Sequence, residues 1–206
     1  LDAGVHLGHR KSKGHPKMKP YLFGVRQGVQ IINVEKTLQK MQEAATFLKD
    51  TAASGGVILF AATKVPAKAF TKELAERAGL AYVSGRWLGG TLTNFPIISK
   101  RLEYFLSQEA KKAKGELEKY TKKEQLMIAR ELEDLEKKMG GLKALKKIPQ
   151  ALLIVDIEEH MTAVREAKIT GVPVVAITDT NTDPTLVDYP IPSNDKSAKS
   201  VKFILD

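Results

Sequence analysis

From residue 28 onward, short runs of branched and aromatic residues alternate with longer stretches of helical periodicity. The runs VQIINV (29–34), VILFAAT (57–63), AYVS (81–84), ALLIVDI (151–157) and VPVVAIT (172–178) predict strands. The middle runs are apolar on both faces, as parallel strands buried between two layers of helix are. A sixth run, DYPIP (188–192), predicts only a weak strand, because its prolines deny the ladder donors. Between the first two runs, Val34, Leu38, Met41, Ala45 and Leu48 step by four and three, which predicts one apolar stripe on a helix ending near SGG (54–56). PAKAFTKELAERAG (66–79) and EEHMTAVREAKITG (158–171) repeat the design, each closed by a glycine suited to the left-handed position after a helix. Strand–helix alternation of this kind predicts a doubly wound α/β domain with a parallel sheet over residues 28–93 and 146–206.

Residues 94–145 break that rhythm and are too long for an ordinary connection. Ile98, Leu102 and Phe105 on one segment, and Ile128, Leu132, Leu135, Met139 and Leu142 on the next, keep a heptad-like step, which predicts two antiparallel helices in contact: an inserted coiled-coil hairpin. Thr121 and Glu124 form a capping box for its second helix. Glu118/Lys122, Glu133/Lys137 and Asp134/Lys138 are spaced as exposed i to i+4 pairs. QEAKKAKGELEKY (108–120) reads as the tip, where a partner could bind.

Composition narrows the function. The 206 residues carry 33 Lys and Arg against 24 Asp and Glu, a net charge of +9, so a polyanion is the natural partner. No apolar run reaches the roughly 18 residues of a membrane helix, and no basic amphipathic helix suits a membrane surface. With no cysteine, thiolate metal sites, disulfides and cysteine nucleophiles are excluded. The chain opens LDAGVHLGH, without an initiator methionine, so further residues are expected upstream.

The charge is concentrated at the start. Arg10, Lys11, Lys13, Lys17, Lys19 and Arg26 face the lone Asp2 over the first 26 residues. Gly8, Gly14, Pro16, Pro20 and Gly24 interrupt that tract, which predicts an extended basic arm over residues 1–27 that follows a phosphate backbone and packs on the core. Tyr21 and Phe23 within it would either stack on exposed bases or pin the arm to its own core.

Sites for small molecules are weaker. Neither a dinucleotide-binding glycine pattern nor a P-loop is present. Lys64, Asp156 and Asp179 fall at strand ends, like the pocket of a receiver domain, but the acidic pair after the first strand is missing; the aspartates read better as caps and Asx turns. His6, His9 and His15 beside Asp2 fall short of the arranged ligand set of a stable metal site, and serve equally well as local hydrogen-bonding groups or phosphate donors. In GRWLGGTLTN (85–94), Arg86 offers a fork for phosphate. Trp87 offers a flat apolar face, which equally reads as a structural plug at the root of the hairpin with Arg86 alone contacting RNA, and Gly89 and Gly90 permit close backbone approach. Thr93 or Asn94 would cap a helix whose free N–H groups favour an anion.

These stretches also carry a resemblance. AGVHLGHRKSKGHPKMKPYLFGVRQGVQIINVEKT (3–37), RWLGGTLTNF (86–95), YTKKEQLM (120–127) and VPVVAITDTNTDPTLVDYPIPSND (172–195) resemble the bacterial-type small-subunit ribosomal protein S2 family, almost end to end. The resemblance implies a flavodoxin-like domain with a helical hairpin, bound to small-subunit rRNA and to neighbouring ribosomal proteins, the large mRNA-binding protein among them. It implies a ribosome of the cytoplasm, with an organellar ribosome as the alternative. It implies no catalysis, cofactor, metal, membrane or homo-oligomer. By position it makes Arg10, Lys11, Lys13, Lys17, Lys19, Arg26, Lys64, Arg86, Trp87, Thr93, Asn94 and Lys100 the residues expected at RNA. Ala62 and Ser193 stand where the family commonly has glycine, and the SGRW stretch also departs from the usual pattern.

Overall fold

The structure, a computed structural model, describes residues 2–206, apart from the side chains of Val65, Pro66, Ala69 and Glu118; the expected Glu118/Lys122 pair therefore lies outside it. Its first element corrects the sequence reading. VQIINV does not open the parallel sheet. Strands β1 (Leu7–Arg10), β2 (Leu22–Arg26) and β3 (Val29–Ile32) form a separate antiparallel sheet in the order β1-β3-β2. The cause is local: Gln27 (φ 50°) and Gly28 (φ 77°) are both left-handed, as in a two-residue hairpin turn, so the chain folds back with Arg26 facing Val29. Short 3-10 turns at Lys11–Lys13 and Pro16–Tyr21 join β1 to β2. The basic tract is thus mounted on a folded unit instead of lying extended.

Asn33 then caps α1 (Val34–Ala53), its side chain accepting from the amides of Glu35 and Lys36. The buried side of α1 is rotated from the expected stripe. Met41, Ala44, Phe47 and Leu48 pack on the sheet, and the Thr37 hydroxyl donates to the Pro192 carbonyl at 2.6 Å. Val34, Leu38 and Ala45 face outward.

The parallel sheet comprises β4 (Ile58–Ala61), β5 (Ala81–Val83), β6 (Ala151–Val155), β7 (Val174–Thr178) and β8 (Tyr189–Pro192), in the order β5-β4-β6-β7-β8. Chain direction across the sheet reverses beside β4, as in doubly wound folds. The prolines of β8 are tolerated because it is an edge strand. Alternate residues of the runs face two layers. Leu59, Ala61, Val83, Leu152, Ile154, Val174 and Ala176 meet α5 (Met161–Thr170) and the inserted helices, while Phe60, Val155, Val175, Ile177 and Ile191 meet α1, α2 (Val65–Arg77) and α6 (Ala198–Leu205). Ser193, buried after β8, places its hydroxyl 3.1 Å from that of Ser200.

The insertion contains α3 (Phe95–Ala113) and α4 (Lys122–Met139), joined through Gly115 (φ 72°) and a 3-10 turn. The Thr121/Glu124 capping box forms with both hydrogen bonds, and Glu133–Lys137 and Asp134–Lys138 pair at 2.6 Å. Phe95, Ile98, Leu102, Phe105, Leu132, Leu135, Met139 and Leu142 continue the core of one sheet face. A Cβ on Gly141 would lie 2.3 Å from the Tyr82 carbonyl oxygen, so only glycine lets the turn after α4 close on β5.

Candidate nucleic-acid interface

The carboxyl ends of the parallel strands form one rim. Following the strand order, it carries Arg86 after β5, Lys64 after β4, Asp156 after β6, Asp179 and Thr180 after β7, and Ser193 to Asp195 after β8. At about 4.8 Å between strands the rim is roughly 19 Å long.

The basic segment is fastened at the β7–β8 end of that rim. The His9 amide donates to the Thr180 hydroxyl and the His15 amide to the Thr180 carbonyl, both at 2.8 Å. A Cβ on Gly8 would lie 2.4 Å from the Thr180 side chain. Lys17 Nζ donates to Asp183 at 2.7 Å and to Thr185 at 2.9 Å. Burial pushes the Asp183 carboxyl up, but the Lys17 ammonium and the Thr185 donors outweigh that and hold it at about 2. Met18 is fully buried beneath the segment. What remains outward is cationic: Arg10, Lys11, Lys13, Lys19 and Arg26 are exposed, with no carboxylate partner among the described residues. The two aromatic residues part company, since Tyr21 is half-buried and Phe23 is 81% exposed.

The strand-end acids are structural. Asp156, left-handed at φ 70°, accepts from the amides of Glu158 and Glu159 through Oδ1 and pairs with Lys64 through Oδ2. Asp179 accepts from the Thr180 amide and lies 3.0 Å from His9 Nδ1. Burial, then the neighbouring Asp179 charge, raises the Asp195 carboxyl to about 6. Burial drives the His160 imidazole down to about 4, and its Nδ1 lies 3.0 Å from the Asp156 carbonyl. Asp156 thus forms the expected Asx turn, whereas Asp179 accepts only from the adjacent Thr180 amide and the Asx turn of that loop is made by Asp183 to the Thr185 amide; His9 is engaged by a carboxylate. No three His, Asp or Glu side chains among the described residues are grouped to hold a metal ion.

The glycine-rich loop after β5 folds around an anion that belongs to the chain. Trp87 is 8% exposed, and its indole Nε1–H donates to Glu166 of α5 at 3.1 Å. The Gly90 amide donates to the same carboxylate oxygen at 2.8 Å. The Leu92 amide at 2.9 Å, with the Thr93 amide and hydroxyl at 3.3 Å, donate to the other. Burial pushes the Glu166 carboxyl up; these donors more than offset it and hold the group below the ordinary carboxylate value. Gly90 supplies the left-handed bend (φ 86°) that turns its N–H inward.

The residues expected at RNA therefore divide. Arg86, Asn94 and Lys100 are exposed, like the outward cations of the first segment. Trp87 and the polar groups of Thr93 point into the protein, and Lys17 and Lys64 are paired with carboxylates. Glu166, which organises the loop, carries no local sequence signal: it is one more charge on an amphipathic helix, more than 70 residues from its donors.

Comparison with known proteins covers the chain as a whole. The family model described as Ribosomal protein S2 matches residues 1–206. A protein of Roseiflexus sp. (strain RS-1) named small ribosomal subunit protein uS2 is 47% identical over 204 residues, covering 99% of this chain and 78% of that one. The protein of the same name from Roseiflexus castenholzii (strain DSM 13941 / HLO8) is 46% identical over the same shares.

Proposed function

The chain belongs to the ribosomal protein S2 family, and from that premise we propose that its basic first segment and Arg86 loop hold it on the phosphate backbone of small-subunit rRNA. As a member it is a structural, non-enzymatic constituent of the small ribosomal subunit. No described helix is long and apolar enough to cross a membrane.

The observation that carries the reading is the exposed cation set Arg10, Lys11, Lys13, Lys19 and Arg26 on a segment fastened to the body by His9, His15 and Lys17. A mounted cation loses little conformational freedom on binding, so each phosphate contact costs less than on a free arm. Arg86, Asn94 and Lys100 extend the surface at the other end of the rim. Phosphate contacts of this kind fix position without reading bases; specificity comes from the shape of folded rRNA. We assign Lys17 and Lys64 to holding the body together, since each already answers a carboxylate. The flavodoxin-like body, from α1 to residue 93 and over residues 146–206, carries as its two additions the basic segment, whose three-stranded sheet takes in β3 and so runs past residue 27, and the helical hairpin of residues 94–145.

Neighbouring proteins of the subunit, the large mRNA-binding protein among them, are the second class of partner. The exposed apolar side chains of Phe23, Val25, Val34 and Leu38, each more than 40% exposed, support that reading, with Phe23 and Val34 lining one shallow groove. The chain acts as one copy per subunit.

The test is equilibrium binding of the purified chain to small-subunit rRNA over a range of salt. Affinity should fall steeply, with a log–log slope of about 0.7–0.9 for each phosphate neutralised. An affinity flat from low to high salt contradicts the proposal. Magnesium, acetyl phosphate and nucleotides should leave the melting temperature unmoved, since a ligand of the native state would raise it.

A further inference from the structure

Glu166 is 6% exposed, and no cation pairs with it among the described residues. Its charge is answered entirely by N–H and O–H donors from one loop: the Trp87 indole, the amides of Gly90, Leu92 and Thr93, and the Thr93 hydroxyl. That donor set, backbone amides converging just before the first turn of a helix, is the kind that elsewhere surrounds a phosphate or sulfate. Here both carboxylate oxygens are covered, Oε1 by two donors and Oε2 by three. An incoming phosphate would find the donors taken and a negative charge behind them.

We propose that the loop of residues 87–93 is an oxyanion cradle permanently filled by the Glu166 carboxylate. Glu166 is the positioning residue that gives the loop its shape, and Arg86, immediately outside the cradle and exposed, is the group the loop offers to an external phosphate. The statement about Arg86 rests on the rRNA reading; the statement about the cradle does not. The consequence is specific: an inward carboxylate locks the loop, so its cation is presented without any phosphate having to order the backbone first. Shortening Glu166 to alanine should expose an empty site for a small oxyanion, which an ordinary buried side chain would not leave behind.

The experiment uses the whole chain and its single tryptophan as the reporter. In Glu166→Ala, Trp87 emission should depart from that of the parent. Formate or inorganic phosphate in the millimolar range, with ionic strength held by potassium chloride, should return it towards the parent value along a saturable curve, while the parent does not respond. A Glu166→Ala protein with no saturable response, or a parent that responds as the variant does, overturns the cradle. Should Glu166→Ala not fold, amide spectroscopy of the parent decides. The Trp87 indole and the Gly90, Leu92 and Thr93 amides should titrate together on acidification and stay unmoved by phosphate at neutral pH; movement by phosphate, or no shared titration, overturns the proposal. In rRNA binding, Arg86→Ala should lower the salt slope by about 0.7–0.9, and Lys138→Ala, at a solvated lysine paired with Asp134 outside the loop, should leave it unchanged. A slope unchanged in Arg86→Ala removes the loop from the rRNA contact while leaving the anion result standing.

Discussion

Replacing Glu166 by glutamine removes one charge and almost no volume, so its effect isolates the electrostatics of the loop. A side-chain amide keeps one acceptor oxygen and puts an NH2 group where the other stood. If the oxygen stays at the Trp87 and Gly90 donors, the NH2 group faces the amides of Leu92 and Thr93, donor against donor; the opposite rotamer strands Trp87 and Gly90 instead. Two N–H groups lose their acceptor either way, at about 1–3 kcal/mol each where burial keeps water out. A total near 4 kcal/mol corresponds to a fall in Tm of roughly 8–16 °C for a chain of this size. Thermal unfolding followed by circular dichroism at neutral pH, with Thr93→Val as a control for the hydroxyl alone, measures it. The pH dependence supplies an independent sign. A carboxyl held below its unfolded value contributes stability that is present above the unfolded pKa and is lost as pH falls through the folded one, so the parent should lose this contribution in acid while Glu166→Gln has none to lose. A fall in Tm under about 3 °C, against the expected range, would refute the reasoning.

Other expectations follow from the same geometry. His160, its imidazole pushed down to about 4 from an ordinary 6.5 by burial, contributes stability that is complete above 6.5 and lost as pH falls from there through 4, about 3 kcal/mol in all; His160→Asn should flatten the stability–pH curve over that window, as denaturant titrations at successive pH values would reveal. Gly141→Ala should cost about 1–3 kcal/mol, because its Cβ would press on the backbone of Tyr82, whereas Gly24→Ala, which meets nothing within 4 Å, should stay within about 0.5 kcal/mol of the parent in thermal melts. Phe23→Ser should weaken association with neighbouring proteins of the subunit in pull-down from salt-washed subunits, without altering the salt slope of rRNA binding.

The parallel strands were legible because burial on both faces leaves continuous apolar runs, and the start of α4 because Thr121 and Glu124 settle it within four residues. VQIINV reads as a strand of the parallel sheet because an apolar run does not say which neighbour it pairs with; the Gln27–Gly28 turn is the only local clue to the antiparallel pairing it makes. The rotation of α1 depended on what covers it, and Thr37 reaching Pro192 turned Val34 and Leu38 outward. At the candidate interface, the sign and location of the charge were readable, but its division was not. Lys17, Lys64, Trp87 and Thr93 carry the right chemistry for phosphate and are engaged by Asp183, Asp156 and Glu166, partners that only the tertiary fold brings near.

Lysine acylation measured side by side on the free chain and on assembled small subunits tests the central claim most directly. Lys11, Lys13 and Lys19 should react readily in the free chain and become protected in the subunit, with Lys100 following them and the solvated pair lysines Lys137 and Lys138 changing less. Equal reactivity of Lys11, Lys13 and Lys19 in both states, with protection falling elsewhere on the surface, would contradict it.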